Sequence, residues 1–165
     1  MLNILLFLVL NQSIEGKVIG VLDGDTIEVL DDRHFSHRIR LAEIDAPEKN
    51  QAFGNQAKMA LSRKVFGENV KVELRQKDRY GRDIGLVLID RRNINMEMVE
   101  EGYAWCYTQY SRDPRFRVAQ NNAQLSRKGL WMDPHAVPPW EFRRAPKSTS
   151  SSKSSSKSSS SRRKK

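Results

Sequence analysis

The chain has 165 residues, with 29 Lys and Arg against 20 Asp and Glu and a formal charge of +9. Nine of the basic residues and none of the acidic ones lie between Arg143 and Lys165, so residues 1–142 balance 20 against 20 and bulk charge gives no reason to expect a nucleic-acid-binding body. One cysteine, Cys106, excludes an internal disulfide and a multi-cysteine zinc site; three scattered histidines argue against a histidine metal site; and no run of about 18 apolar residues offers an ordinary membrane span.

Residues 4–10, Ile-Leu-Leu-Phe-Leu-Val-Leu, form a short apolar run followed by polar Asn11, Gln12 and Ser13. That pattern fits a brief signal-peptide core, so 1–13 is expected to be a leader and the protein to be secreted or periplasmic. The alternatives are a first strand or a mis-called start on a cytoplasmic protein. Lys17 to Leu22 is β-rich and ends at the turn pair Asp23-Gly24; Thr26 to Leu30 resumes the strand pattern, and Asp31-Asp32 turns again. Arg38 to Ile44 alternates, with Ile39 and Leu41 on one face and Arg38 and Arg40 on the other, until Pro47 stops it. From Phe53 the period changes: Phe53, Ala57, Ala60, Leu61 and Val65 share one face of a helix that Gly67 ends. Val70 to Leu74 and Ile84 to Ile89 read as strands about a turn at Tyr80-Gly81-Arg82. A short helix fits Ile94 to Glu101, a longer one fits Pro114 to Lys128 before Gly129, and Trp131 is expected to fold back on the core.

Five strands, with a helix between the third and fourth and two more after the fifth, predict an α+β fold: a five-stranded OB-fold β-barrel with three α-helices. The domain spans 14–144. Residues 145–165 are mostly serine punctuated by lysine and close on Arg162-Arg163-Lys164-Lys165, with nothing apolar to bury. They are expected to be a disordered tail, either solubilising or a weak tether to a polyanion.

Two acidic clusters and two arginines carry the chemistry. Asp23-Gly24-Asp25-Thr26 puts carboxylates on a tight turn, which alone is more often a plain hairpin. In Arg40-Leu41-Ala42-Glu43-Ile44-Asp45-Ala46-Pro47-Glu48, strand alternation sets Arg40 out of phase with Leu41 and Asp45. Pro47 pushes the backbone before it away from a regular ladder. Asp25, Asp45 and the Ala46 carbonyl then form a hard-oxygen set of the kind Ca²⁺ accepts and Zn²⁺ does not. Asp78-Arg79-Tyr80-Gly81-Arg82 is first a turn between strands, and Arg82 alone reads as a solvated loop arginine.

Taken together, Asp-Gly-Asp-Thr at 23–26, Arg-x4-Asp-x-Pro-Glu at 40–48, Asp-x-Tyr-Gly-Arg at 78–82, Asn95 and Gly-Leu-Trp at 129–131 resemble the staphylococcal nuclease (thermonuclease) family from about Lys17 to Trp131. The resemblance implies an OB-barrel, calcium-dependent nuclease. It would hydrolyse phosphodiester bonds of DNA and RNA, single-stranded or locally opened, with little sequence preference, and leave 3′-phosphate ends. It implies one Ca²⁺ held by Asp25, Asp45 and the Ala46 carbonyl, catalytic Arg40, Glu48 and Arg82, and nucleotide contact by Tyr80. Glu48 would position or deprotonate the attacking water, and the two arginines would clamp the scissile phosphate. Tyr107 and Tyr110 are further candidates for substrate contact, with packing an equal account of either. Ala46 stands where the family's best-known member has threonine, and the loop after Glu48 is short. A monomer is expected. The rival reading is a non-catalytic OB module that binds nucleic acid or a peptide.

Overall fold

A computed structural model describes residues 12–145. The expected leader, up to residue 11, and the expected tail, from residue 146, lie outside the described residues. Ser13, assigned to the leader, opens the first strand.

In chain order the elements are β1 (Ser13–Val21), β2 (Thr26–Asp31), β3 (Ser36–Leu41), β4 (Ile44–Asp45), α1 (Gly54–Val65), β5 (Asn69–Lys77), β6 (Asp83–Ile89), β7 (Arg92–Asn93), α2 (Ile94–Glu100), β8 (Trp105–Cys106), α3 (Pro114–Leu125), a 3₁₀ turn (Gly129–Met132) and α4 (Pro139–Arg144). The five long strands run in the order β3-β2-β1-β5-β6 with antiparallel neighbours, and β3 pairs parallel with β6 to close the ring. This is the five-stranded α+β barrel that the sequence predicts. Closure leaves no open edge among these strands. The alternating positions Val18, Ile27, Val29, Ile39, Leu41, Val70, Val72 and Val87 turn inward, where β-branched side chains pack on the pleat. Against them lie Ala57, Ala60, Leu61 and Val65 of α1, Ile94 and Met98 of α2, and Phe116 and Ala119 of α3.

Four differences from the sequence reading have physical causes. The stretch Arg38 to Ile44 is not one strand: β3 stops at Leu41, Glu43 takes φ 70°, and Ile44-Asp45 pairs instead with Cys106 and Trp105 of β8. Glu43 holds that conformation because its carbonyl accepts from the Tyr107 N–H and its carboxylate from the Arg112 N–H. α3 ends at Leu125 rather than Lys128, because Arg127, at φ 48°, turns the backbone left-handed two residues before Gly129. The Lys128 N–H then returns to the Ala123 carbonyl and the Arg127 N–H to that of Gln124, the paired bonds of a Schellman stop. Phe53 starts α1 in the left-handed region rather than sitting on its helical face. Finally, α4 is a fourth helix that sequence periodicity missed, only six residues long and begun by Pro138-Pro139. Trp131 does fold back, with its ring 4.3 Å from that of Trp105, which also meets Trp140 of α4 edge-on at 5.8 Å. Among the described residues no helix is long and apolar enough to cross a membrane.

Asn95, fully buried on α2, ties the end of β3 to the closing strand. Its Oδ1 accepts from the Val87 N–H at 3.0 Å, and its Nδ2 donates to the carbonyls of Ala42 at 2.9 Å and Gly85 at 3.1 Å. These backbone groups sit where a ladder bond is lost to the break after β3. The Gly85 carbonyl keeps the Ala42 N–H as a second donor, so Asn95→Ala strands two buried polar groups, the Val87 N–H and the Ala42 carbonyl, and is expected to lower stability by about 2 kcal/mol or more. Urea denaturation of the variant beside wild type checks this.

Candidate active site

The tight turn before β2 brings the first carboxylate inward. Gly24 carries no side chain because a Cβ there would lie 2.7 Å from the Cβ atoms of both Ala46 and Ala57. The turn therefore presses flat against α1 and the segment after β4, and Asp25 is delivered to a buried position 4% exposed. Its Oδ2 accepts the Ala46 N–H at 2.9 Å and its Oδ1 the Thr26 hydroxyl at 3.1 Å.

The break after β3 delivers the second carboxylate. Had the strand continued, Asp45 and Arg40 would have faced opposite sides. The left-handed residue at Glu43 resets the phase, so Asp45 turns back onto Arg40, and the expected opposition is corrected. Arg40 then forks between the two acids, Nη1 to Asp25 Oδ1 at 2.6 Å and Nη2 to Asp45 Oδ1 at 2.8 Å. Asp45 is 0% exposed, a carboxylate fully withdrawn from water.

Glu48 follows on a compact turn. Its carbonyl accepts from the Gln51 N–H, its own N–H donates to Gln51 Oε1, and the Gln51 side chain donates onward to the Val137 carbonyl. Gly54 closes this turn: a Cβ there would stand 1.9 Å from the Glu48 carbonyl oxygen. The short loop after Glu48 is thus a pinned one.

Arg82 comes from the other wall, at the start of β6. Its Nε donates to Asp78 Oδ2 at 2.6 Å while the Asp78 Oδ1 accepts the Tyr80 and Arg82 N–H groups, so the acid shapes the turn and aims the arginine together. Tyr80 is exposed, with the Arg79 guanidinium 4.8 Å and that of Arg82 5.8 Å from its ring centroid. Tyr107 stacks on Trp140 with 10° between planes and 5.5 Å between centroids, and touches Tyr110 at 4.8 Å. Packing accounts for Tyr107, whereas Tyr110 remains 60% exposed.

All nine residues singled out from sequence, Asp25, Arg40, Asp45, Ala46, Glu48, Tyr80, Arg82, Tyr107 and Tyr110, line one open cleft of about 1370 Å³. Sequence reasoning missed two groups there. Arg143 of α4, counted with the basic C-terminal excess, reaches into the cleft, with Nη2 2.6 Å from Asp45 Oδ2 and Nη1 2.7 Å from Glu48 Oε1. Its partners lie 98 and 95 residues away, so no local spacing signals it. Asp23 was also passed over as a site residue; it lines the same cleft and accepts the Asp25 N–H at 3.0 Å.

Crowded carboxylates set the electrostatics. Burial and then the charge of Asp25 push Asp23 up to about 6. Burial also raises Asp45, and Asp25 adds to the rise, against the opposing pull of Arg143 and Arg40. Asp25 is buried too, yet Arg40 and the Ala46 N–H outweigh that and hold it below the ordinary carboxylate range. Arg40 stays charged, because the two acids overcome its own desolvation. Among the described residues no group of three or more His, Cys, Asp or Glu side chains forms a ready metal cluster. What is present is two buried carboxylates within one guanidinium's span, beside the Ala46 main chain, and they raise each other's cost of ionisation. Such an oxygen-only donor set with room for water fits a hard divalent cation.

The chain is similar to several known proteins. The family described as "Staphylococcal nuclease homologue" matches residues 38–133. An "Uncharacterized endonuclease" of Haemophilus influenzae is 47% identical over 131 residues, covering 79% of this chain and 74% of its own length. An "Uncharacterized endonuclease" of Escherichia coli is 48% identical over 136 residues, covering 82% and 88%. A "Micrococcal nuclease" of Shigella flexneri is 42% identical over 146 residues, covering 82% and 83%.

The two arginines differ in burial, and stability should reveal it. The Arg40 side chain is 15% exposed between acids at 6% and 1%, whereas Arg82 is 29% exposed. Arg40→Met leaves two buried carboxylates short of a counter-charge and is expected to cost about 3 kcal/mol. Arg82→Met, which breaks a partly solvated pair, is expected to cost about 1 kcal/mol or less. Denaturant midpoints of both variants check the contrast without reference to activity.

Proposed function

The chain belongs to the staphylococcal nuclease family, and from that premise we propose a calcium-dependent nuclease that cuts DNA and RNA with little sequence preference and leaves 3′-phosphate ends. That it is a nuclease, a hydrolase acting on nucleic acid, follows from the family and its relatives. The observation supporting the finer reading is the Asp25–Arg40–Asp45 fork, set with Glu48 in the same cleft as Arg82.

In this reading Asp25, Asp45 and the Ala46 carbonyl hold one Ca²⁺. When bound, that ion stabilises the charge that develops on the phosphoryl oxygens. The chain's own residues do the rest. Glu48, with its carboxylate 38% exposed at the cleft, orients a water and accepts its proton as the water oxygen bonds to phosphorus. The bond from phosphorus to the 5′-oxygen breaks, and that oxygen leaves as a hydroxyl after taking up a proton. Arg82 keeps its Nε on Asp78, which leaves both terminal nitrogens to donate side by side to phosphate oxygens. Arg40, held charged by its two acids, adds a second guanidinium at the phosphate. Tyr80 offers an exposed ring beside Arg82 for a base, and Tyr110 a second. The cleft is open, which suits single strands or locally opened duplexes. Residues 14–144 form the catalytic domain, acting as a monomer. The apolar run at 4–10 supports export of the protein to the periplasm or beyond.

The test is hydrolysis of a single-stranded oligonucleotide with Ca²⁺, with chelator, and with Ca²⁺ restored. Cleavage is expected only with the ion, and mass spectrometry of the fragments should show 3′-phosphates. Cutting in excess chelator, or 5′-phosphate ends, overturns the reading. Glu48→Gln preserves shape and removes the base, so turnover should fall by about 10²–10⁴ while oligonucleotide binding persists. Arg82→Lys should also lose turnover, since an ammonium lacks the fork. Near wild-type rates in both variants would show that these residues do not carry the reaction.

A further inference from the structure

α4 is short, yet it is held firmly. Pro139 is buried, Trp140 stacks on Tyr107 and meets Trp105, and one turn later Arg143 enters the cleft. There its guanidinium uses both terminal nitrogens. Nη2 takes Asp45 Oδ2 at 2.6 Å; Nη1 takes Glu48 Oε1 at 2.7 Å and reaches Asp45 Oδ1 at 3.2 Å. With Arg40 on Asp45 Oδ1 as well, three donors already crowd this one buried carboxylate. A cation that uses Asp45 must compete with them, and Arg40 is the more deeply buried of the two arginines. Arg143, 41% exposed and on a terminal helix, is the one with room to move.

We propose that Arg143 is a third catalytic arginine. It caps Asp45 and Glu48 while the site lacks its cation, and it turns to a substrate phosphate when the cation takes Asp45. The inference rests on the calcium-dependent reading above. Its logic is charge replacement. Asp25, Asp45 and Glu48 bring more negative charge than Arg40 alone balances, and the second guanidinium reduces the deficit without closing it. A divalent ion at the acids makes that guanidinium superfluous there. The nearest remaining anion in the cleft is then the phosphate, for which a planar fork is the matching donor. Arg143 would thus oppose cation binding in the free protein and favour substrate binding in the loaded one.

The two effects have opposite signs, which a merely structural role does not produce. In full-length Arg143→Gln, Ca²⁺ titrated calorimetrically without nucleic acid should bind about tenfold tighter, the scale of one charge-assisted hydrogen bond released from competition. In the same variant at saturating Ca²⁺, kcat/KM on a short single-stranded oligonucleotide should fall about tenfold or more. Arg143→Lys, which keeps the charge but not the fork, should lie between wild type and Arg143→Gln in both measurements. Unchanged or weaker Ca²⁺ binding in Arg143→Gln overturns the proposal, as does tighter Ca²⁺ binding with undiminished kcat/KM, which would make Arg143 only a plug. Wild-type cleavage that ignores Ca²⁺ instead overturns the underlying reading and is seen before any variant is made.

Discussion

Two carboxylates and one guanidinium held out of water dominate this molecule. Asp25 and Asp45 are almost wholly buried, and each raises the cost of ionising the other. In a low-dielectric setting like charges so placed are tolerated only with a cation between them. Arg40 is that cation, and it must come from the barrel wall at a fixed height. From this requirement follow the other local oddities. Gly24 must lack a side chain so that Asp25 can approach, Glu43 must adopt a left-handed conformation so that Asp45 turns round, and Asn95 must bond the backbone left behind where β3 stops.

The barrel exists to hold this geometry. β3 supplies Arg40 just before its break, and the parallel contact with β6 lies at the same level, so Arg40 pairs with Ile84 two residues from Arg82. Ring closure thereby relates the two catalytic candidates from distant parts of the chain. The aromatic group Trp105, Trp131, Trp140 and Tyr107 likewise relates distant segments, joining β8, the 3₁₀ turn and α4 through ring contacts.

Legibility in the sequence tracked the range of the cause. The barrel strands showed because their inward positions alternate locally with β-branched residues, and α1 showed because its buried residues recur at helical spacing. Asp25, Arg40, Asp45, Glu48 and Arg82 were visible as one site only because three short motifs stood in a familiar order; alone, the first and third read as turns and the second as the end of a strand. The phase of Asp45 was not legible. It depends on a left-handed glutamate, which carries no residue signature, and on bonds from Tyr107 and Arg112 far along the chain. The end of α3 was misread for a related reason: a Schellman stop built on arginine has no glycine to announce it.

Arg143 is the sharpest case of the same rule. In the sequence it opens a basic stretch and counts toward the net charge of +9. In the fold it is withdrawn from that sum, because Asp45 and Glu48 neutralise it locally. Its reach depends on nothing near it in sequence except the proline pair that starts α4 and the tryptophan that fixes the helix against Tyr107. A charge that long-range electrostatics would assign to non-specific attraction thus sits within bonding distance of the two acids to which the proposed reading gives the cation and the water. Its partners, rather than its neighbours in the chain, decide what it does: on the reading proposed above, a guanidinium shared between two acids yields one of them to a divalent cation and turns its planar fork to the nearest anion.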